Sequence, residues 1–165
     1  MFITRPDVLK WCLNMHTFKT KEEEDLWGRS LLNVKKQWSG PFGERIIKEF
    51  YQVSGYKVYE NVQIKGGFHP DIETDDFMVE VKTQTFFTTG TAGEKIIGVP
   101  IKYRNVPKLY GKKLIIVCVG GAEKDAKRLG LVGPDRDVEY EEFNRKRGIS
   151  FVLFSDLLNN YLRGG

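Results

Sequence analysis

An α/β fold, a mixed central sheet flanked by helices, is what the order of periodicities along this chain predicts. Three observations carry the expectation. Apolar residues recur at helical spacing as far as Val53. Strand alternation then runs through residues 68–85, interrupted by a turn at Asp75-Asp76. Finally, an Ile- and Val-rich run at 114–119 has the composition of a strand buried on both faces. At 165 residues the chain fits one domain with a core of its own.

Helices are predicted over 8–15 and 22–36, the second carrying Leu26, Leu31 and Leu32. The acidic run 22–25 suits a solvated first turn, where negative charge complements the helix dipole. Pro6-Asp7 suits a turn or a helix start. The next helix spans 41–53, with Ser39 as N-cap and Pro41 in the first turn. Ile46, Ile47, Phe50 and Tyr51 form its buried stripe, and Gly55 stops it. Strands are expected at 56–60, 62–65, 68–73 and 77–85, and a Thr- and Gly-rich loop at 86–98. Residues 102–109 read as a short helix or a turn broken by Pro107. A polar, charged segment fills 120–148. A last strand, 150–154, leads into a helix from Ser155, its N-cap, to Leu162.

Composition narrows the chemistry. Two cysteines, Cys12 and Cys118, stand far apart, which argues against a disulfide scaffold or zinc site. Cys118 belongs to the core. With only His16 and His69 present, a metal would have to be bound by carboxylates. A net charge of +4 permits a polyanionic partner without requiring one. No apolar run is long enough for a membrane span, and residues 1–10 lack the layout of a signal peptide. The expectation is a soluble cytoplasmic protein with no membrane partner.

The most informative stretch runs from Phe68 to Lys82. If the chain reverses on Asp75-Asp76, Asp71 lies opposite Glu80 and His69 opposite Lys82. Directly opposed residues share a sheet face with roughly 5 Å between Cβ atoms. Glu80 and Lys82 then lie on that face, while Phe77, Val79 and Val81 enter the core on the other. A charged hairpin facing solvent is the ordinary outcome for such a pattern. Opposed carboxylates, however, repel unless a cation compensates, and their oxygens suit a hard divalent ion such as Mg²⁺. Lys82 is placed to orient a water or to stabilise charge on a phosphate. Glu44 borders the apolar stripe of its helix, where it either leans toward the sheet or pairs with Lys48 on the surface.

Glu44 in a helix, Pro70-Asp71 on one strand and Glu80-Val81-Lys82 on the next resemble the PD-(D/E)XK nuclease superfamily. The resemblance covers roughly residues 41–119. It implies a restriction-endonuclease-like core and Mg²⁺-dependent cleavage of DNA, with Mn²⁺ able to substitute. It also implies that Asp71, Glu80 and the Val81 carbonyl hold metal, that Lys82 assists the attacking water and that Glu44 binds or orients a second ion. The chain then divides into an N-terminal helical segment (1–39), a catalytic core (40–119) and a C-terminal strand and helix (120–165).

The Thr-Gly loop lacks Gly-Lys-Ser/Thr, so no nucleotide cofactor is expected. Its hydroxyls and backbone N–H groups suit phosphate or groove contacts, or else an ordinary surface loop. Gln84, on the face of Lys82, together with Thr89, Thr91, Lys95, Lys102 and Arg104, forms the candidate DNA-contacting set. A small type II restriction-like endonuclease acting on double-stranded DNA is the favoured expectation. A Holliday-junction resolvase stands close behind it, because Gly43-Glu44-Arg45 also suits that group. Either would act as a homodimer, with one site for each strand. A non-catalytic DNA-binding module of the same fold is the remaining alternative.

Overall fold

The structure, a computed structural model, describes residues 1–88 and 92–164. A 3-10 turn at Phe2–Thr4 precedes α1 (Pro6–Cys12), in which Pro6 occupies a first-turn position where its missing N–H costs nothing. Thr20 caps α2 (Lys21–Leu32) by accepting from the Glu23 N–H. The acidic start of this helix is not the solvated turn expected, because Glu24 and Asp25 are buried. Trp11 Nε1 donates to Glu24 at 2.8 Å and Trp38 Nε1 to Asp25 at 3.0 Å. Glu24 also accepts from the Phe86 backbone N–H. Indole N–H groups inside an aromatic cluster require acceptors, and these two carboxylates supply them. α3 (Ser39–Val53) buries the expected Ile46, Ile47, Phe50 and Tyr51, but Trp38 holds its N-cap position and Ser39 is already helical.

Among the described residues the sheet has four strands in the order β1 (Ile72–Glu73), β2 (Phe77–Gln84), β3 (Lys113–Gly120) and β4 (Ile149–Leu153). β1 pairs antiparallel with β2, while β2–β3 and β3–β4 are parallel, so the sheet is mixed. Parallel neighbours need crossovers. α4 (Ala92–Ile97), α5 (Val99–Lys102) and α6 (Val106–Tyr110) connect β2 to β3, α7 (Gly121–Arg128) and α8 (Val138–Lys146) connect β3 to β4, and α9 (Phe154–Leu162) closes the chain.

Several boundaries depart from expectation. Residues 56–65 form no strand beyond single bridges, Val58 to Thr74 and Lys65 to Phe68, because Glu60-Asn61 and the left-handed Gly66-Gly67 interrupt their alternation. β1 begins only after Pro70, which has no N–H to offer a ladder. The loop of 86–98 holds α4, whose Ile96 is fully buried. Pro107 opens α6 rather than breaking it. Residues 120–148 contain α7 and α8. Ser155 lies inside α9, and its N–H and hydroxyl both donate to buried Glu123.

Strand alternation sorts the two faces. Val79, Val81, Val117 and Val119 pack with α1, α3 and α9. Met78, Leu114 and Ile116 pack beneath α5 and α6, and Cys118 joins Ile96, Ala122 and Ala126 from α4 and α7. Helices therefore cover both faces of an α/β sheet. Among the described residues no helix is long and apolar enough to cross a membrane.

Candidate functional site

The site forms where β1 stops short. Ile72 pairs with Val79 and Glu73 with Met78, so a two-residue reversal at Asp75-Asp76 sets the expected register. The Thr74 hydroxyl accepts from the N–H groups of Asp76 and Phe77 and fixes that turn. Extending the register by one residue brings Asp71 opposite Glu80. Asp71 does not continue the ladder. Its Oδ2 instead accepts from the Val81 N–H at 2.7 Å, capping the strand edge that β1 leaves open. In a strand the N–H and C=O of one residue face the same side, so the Val81 carbonyl is turned toward this edge as well.

Glu80 is buried at 5 % exposure, with Ile116 beside it on β3. Its Oε2 lies 3.4 Å from Lys82 Nζ, whereas among the described residues Oε1 has no hydrogen-bond partner. Burial first, and then the neighbouring Asp71, hold the Glu80 carboxyl well above the usual carboxylate range, against the pull of Lys82. Glu44, although exposed, shifts the same way. It projects from α3, across the opposite sheet face, yet desolvation and Asp71 raise its pKa while Lys82 lowers it. β1 begins only at Ile72, so the strand edge beside Asp71 is left open. Gly43 makes the approach possible, since a Cβ there would lie 1.7 Å from Thr83 Oγ1. Among the described residues Glu44 makes no ion pair with Lys48, and the i,i+4 pair of this helix is Arg45 with Glu49.

Asp71, Glu80, Lys82 and Glu44 are thus brought together. Gln84 lies on the Lys82 face by alternation. Lys102 and Arg104 are exposed on either side of Tyr103. The Lys102 ammonium sits 5.4 Å above the Tyr103 ring, and Arg104 donates to the Ile101 carbonyl. Lys95 is exposed on α4, and no described contact links it to the carboxylates. Thr89 and Thr91 lie outside the described residues.

Sequence reasoning missed Tyr103 as part of the site. Its ring is buried in one cluster with Met78 and Ile116, and burial followed by the charges of Glu80 and Asp71 raises the pKa of its phenol. Its only signal in the sequence is a place between two basic residues.

Among the described residues no group of three or more Asp, Glu, His or Cys side chains is placed to hold a metal ion. Two carboxylates and a carbonyl still suit Mg²⁺, which keeps several waters and seldom has an all-protein shell. The orphaned Oε1 of buried Glu80 marks where a positive partner fits, since an unpaired buried carboxylate oxygen is costly. Glu80→Gln is therefore expected to raise the melting midpoint of the metal-free protein by about 2–4 °C and to remove any stabilisation by added Mg²⁺. Thermal melts with and without Mg²⁺ check this. A lower midpoint in the metal-free variant would show that the Glu80 charge is already well compensated.

Comparisons of the chain with protein-family models, with curated protein sequences and with solved structures give no match.

Proposed function

We propose that the protein is a Mg²⁺-dependent endonuclease of the PD-(D/E)XK type that hydrolyses phosphodiester bonds of double-stranded DNA. The observation that carries this reading is the Asp71–Glu80–Lys82 constellation at an open strand edge, with one Glu80 oxygen buried and unpartnered. The mixed sheet, with a helix bearing Glu44 before the hairpin and a buried strand after it, supports a restriction-endonuclease-like core. Asp71, Glu80 and the Val81 carbonyl would hold the ion, and Glu44 would bind or orient a second one. When bound, Mg²⁺ supplies Lewis acidity toward the phosphate and a water of lowered pKa.

The protein's own groups account for the rest. Lys82 comes within 3.4 Å of Glu80 on a flexible stem with three donors, so it can orient a water and offset charge on a phosphate oxygen. Lys102 and Arg104, exposed beside the site, would contact the DNA backbone, and Gln84 extends from the same strand face. Cutting both strands would call for a second copy of this chain, hence a homodimer.

Incubating the full chain with plasmid, linear duplex and a four-way junction in Mg²⁺ tests the reading. Discrete duplex fragments support a site-specific, restriction-like enzyme. Junction-restricted nicking supports a resolvase, the second reading, which Gly43-Glu44-Arg45 favours. Retained DNA affinity with no cleavage in Mg²⁺ or Mn²⁺ would leave a binding module and overturn the enzymatic proposal.

A further inference from the structure

The start of α3 opens into a cavity of about 250 Å³, lined by none of the residues assigned above as cation ligands. Lys21, Asp25 and Arg29 face it from α2, Lys36 from the connection between the helices, Ser39 from α3, and Thr85 from the chain leaving β2. No side chain caps α3, and its first intrahelical bond runs from the Phe42 N–H to the Trp38 carbonyl. The N–H groups of its first turn therefore lack intrahelical acceptors, and the dipole of a 15-residue helix favours negative charge there.

Ser39 is the second, independent sign of a ligand. It is 6 % exposed, and among the described residues its hydroxyl has no hydrogen-bond partner. That hydroxyl is absent from the unpaired polar atoms sealed off from solvent, so it opens into the cavity that Ser39 lines. The Thr85 hydroxyl, by contrast, is matched with that of Thr88.

Charge fixes the sign of the occupant. Three cations face one carboxylate, an excess of two positive charges. Asp25 is fully engaged, by Trp38 Nε1 on one oxygen and by Lys21 and Arg29 on the other. Arg29 lies 3.7 Å from it and is 45 % exposed, so its fork of donors can turn to a ligand. Among the described residues Lys36 makes no ion pair. Backbone N–H groups at a helix start, a buried hydroxyl and two available cations are all donors, and a phosphate group has acceptor oxygens for each.

We propose that this cavity binds a phosphate group, held by the first-turn N–H groups of α3 and the Ser39 hydroxyl, with Arg29 and Lys36 balancing its charge. The site stands apart from the assignment of Asp71 and Glu80. A nucleic-acid backbone and free inorganic phosphate present the same chemistry. Position favours the backbone, because Thr85 follows Lys82 by roughly 10 Å of extended chain, and only that choice of source leans on the nuclease reading.

The test is calorimetric titration of the full chain with inorganic phosphate and, separately, with a short DNA duplex, at constant ionic strength and without divalent cations. Thermal melts verify folding of Ser39→Ala, of the double variant Arg29→Gln/Lys36→Gln and of Lys146→Gln, a control at the exposed end of α8. Phosphate affinity is expected to fall about fivefold in Ser39→Ala and about tenfold or more in the double variant, and to hold in Lys146→Gln. Parallel losses of duplex affinity, with phosphate displacing the duplex, identify the backbone as the source. Native duplex affinity beside weakened phosphate binding identifies free phosphate. Native affinity of Ser39→Ala for both ligands would overturn the proposal, as would equal weakening by Lys146→Gln or an unmodified protein that binds neither ligand. Because no divalent cation is present, this outcome is separate from that of the cleavage assays.

Discussion

Asp71→Asn and Lys82→Ala are each expected to lower the rate of DNA cleavage by roughly 10³-fold in a protein that still folds, for different reasons that separate measurements distinguish. Asn at position 71 retains an oxygen able to accept from the Val81 N–H, so the strand edge stays capped. What it loses is a charge that faces Glu80 and Glu44. Divalent-cation affinity should therefore fall along with the rate. Lys82 is partly exposed at 29 %, and among the described residues it pairs with Glu80 at 3.4 Å. Removing it takes away donors from the reaction without taking away a ligand, so Mg²⁺ affinity should hold while cleavage is lost. Time courses on supercoiled plasmid give the rates, calorimetric titration gives the affinities and thermal melts verify folding. Native cleavage by either variant would remove that residue from the proposed chemistry.

The register of the hairpin was legible because two local signals agree. The polar pair Asp75-Asp76 marks the reversal, and Phe77, Val79 and Val81 can enter the core in only one phase of the pleat. The strand at 114–119 was legible for a similar reason, since an uninterrupted β-branched run has few other uses. Neighbouring segments misled because their pattern was only half present. Residues 56–65 alternate briefly, but Glu60, Asn61 and two left-handed glycines break the series before a ladder can form. Glu24 and Asp25 misled in another way. Acid at a helix start ordinarily faces water, and the demand of Trp11 and Trp38 for buried acceptors exists only after three distant segments have packed. Tyr103 was invisible for the same reason. Its burial in one cluster with Met78 and Ile116 depends on a crossover passing back across the sheet, which no local periodicity encodes. Glu44 stood between these cases. Its place on the border of a helical stripe was readable, but its path to Asp71 depends on how closely α3 packs against β2.

That path makes Gly43→Ala the substitution in which structure and propensity most clearly oppose each other. Alanine in a helix interior is worth about 1 kcal/mol over glycine, so local preference predicts a more stable protein. The packing predicts the reverse. An added Cβ would sit 1.7 Å from Thr83 Oγ1 and 2.7 Å from Thr83 Cβ. Rotating Thr83 moves its hydroxyl aside but leaves its Cβ in place, so α3 has to lift from β2. Overpacking of this kind costs roughly 1–3 kcal/mol, and Glu44, one residue further along, is carried away from Asp71 and Lys82. A misplacement of about 1 Å is enough to lower a rate by about 10²-fold. Gly43→Ala should therefore melt earlier and cleave about 100-fold more slowly with every acidic residue intact. Adding Thr83→Gly clears the clash, so the double variant should recover cleavage, although glycine in a strand carries a cost of its own. That non-additivity is the decisive quantity. If the two substitutions act independently, the contact between Gly43 and Thr83 does not set the position of Glu44, and the third acid has to be held by something other than the closeness of helix and strand.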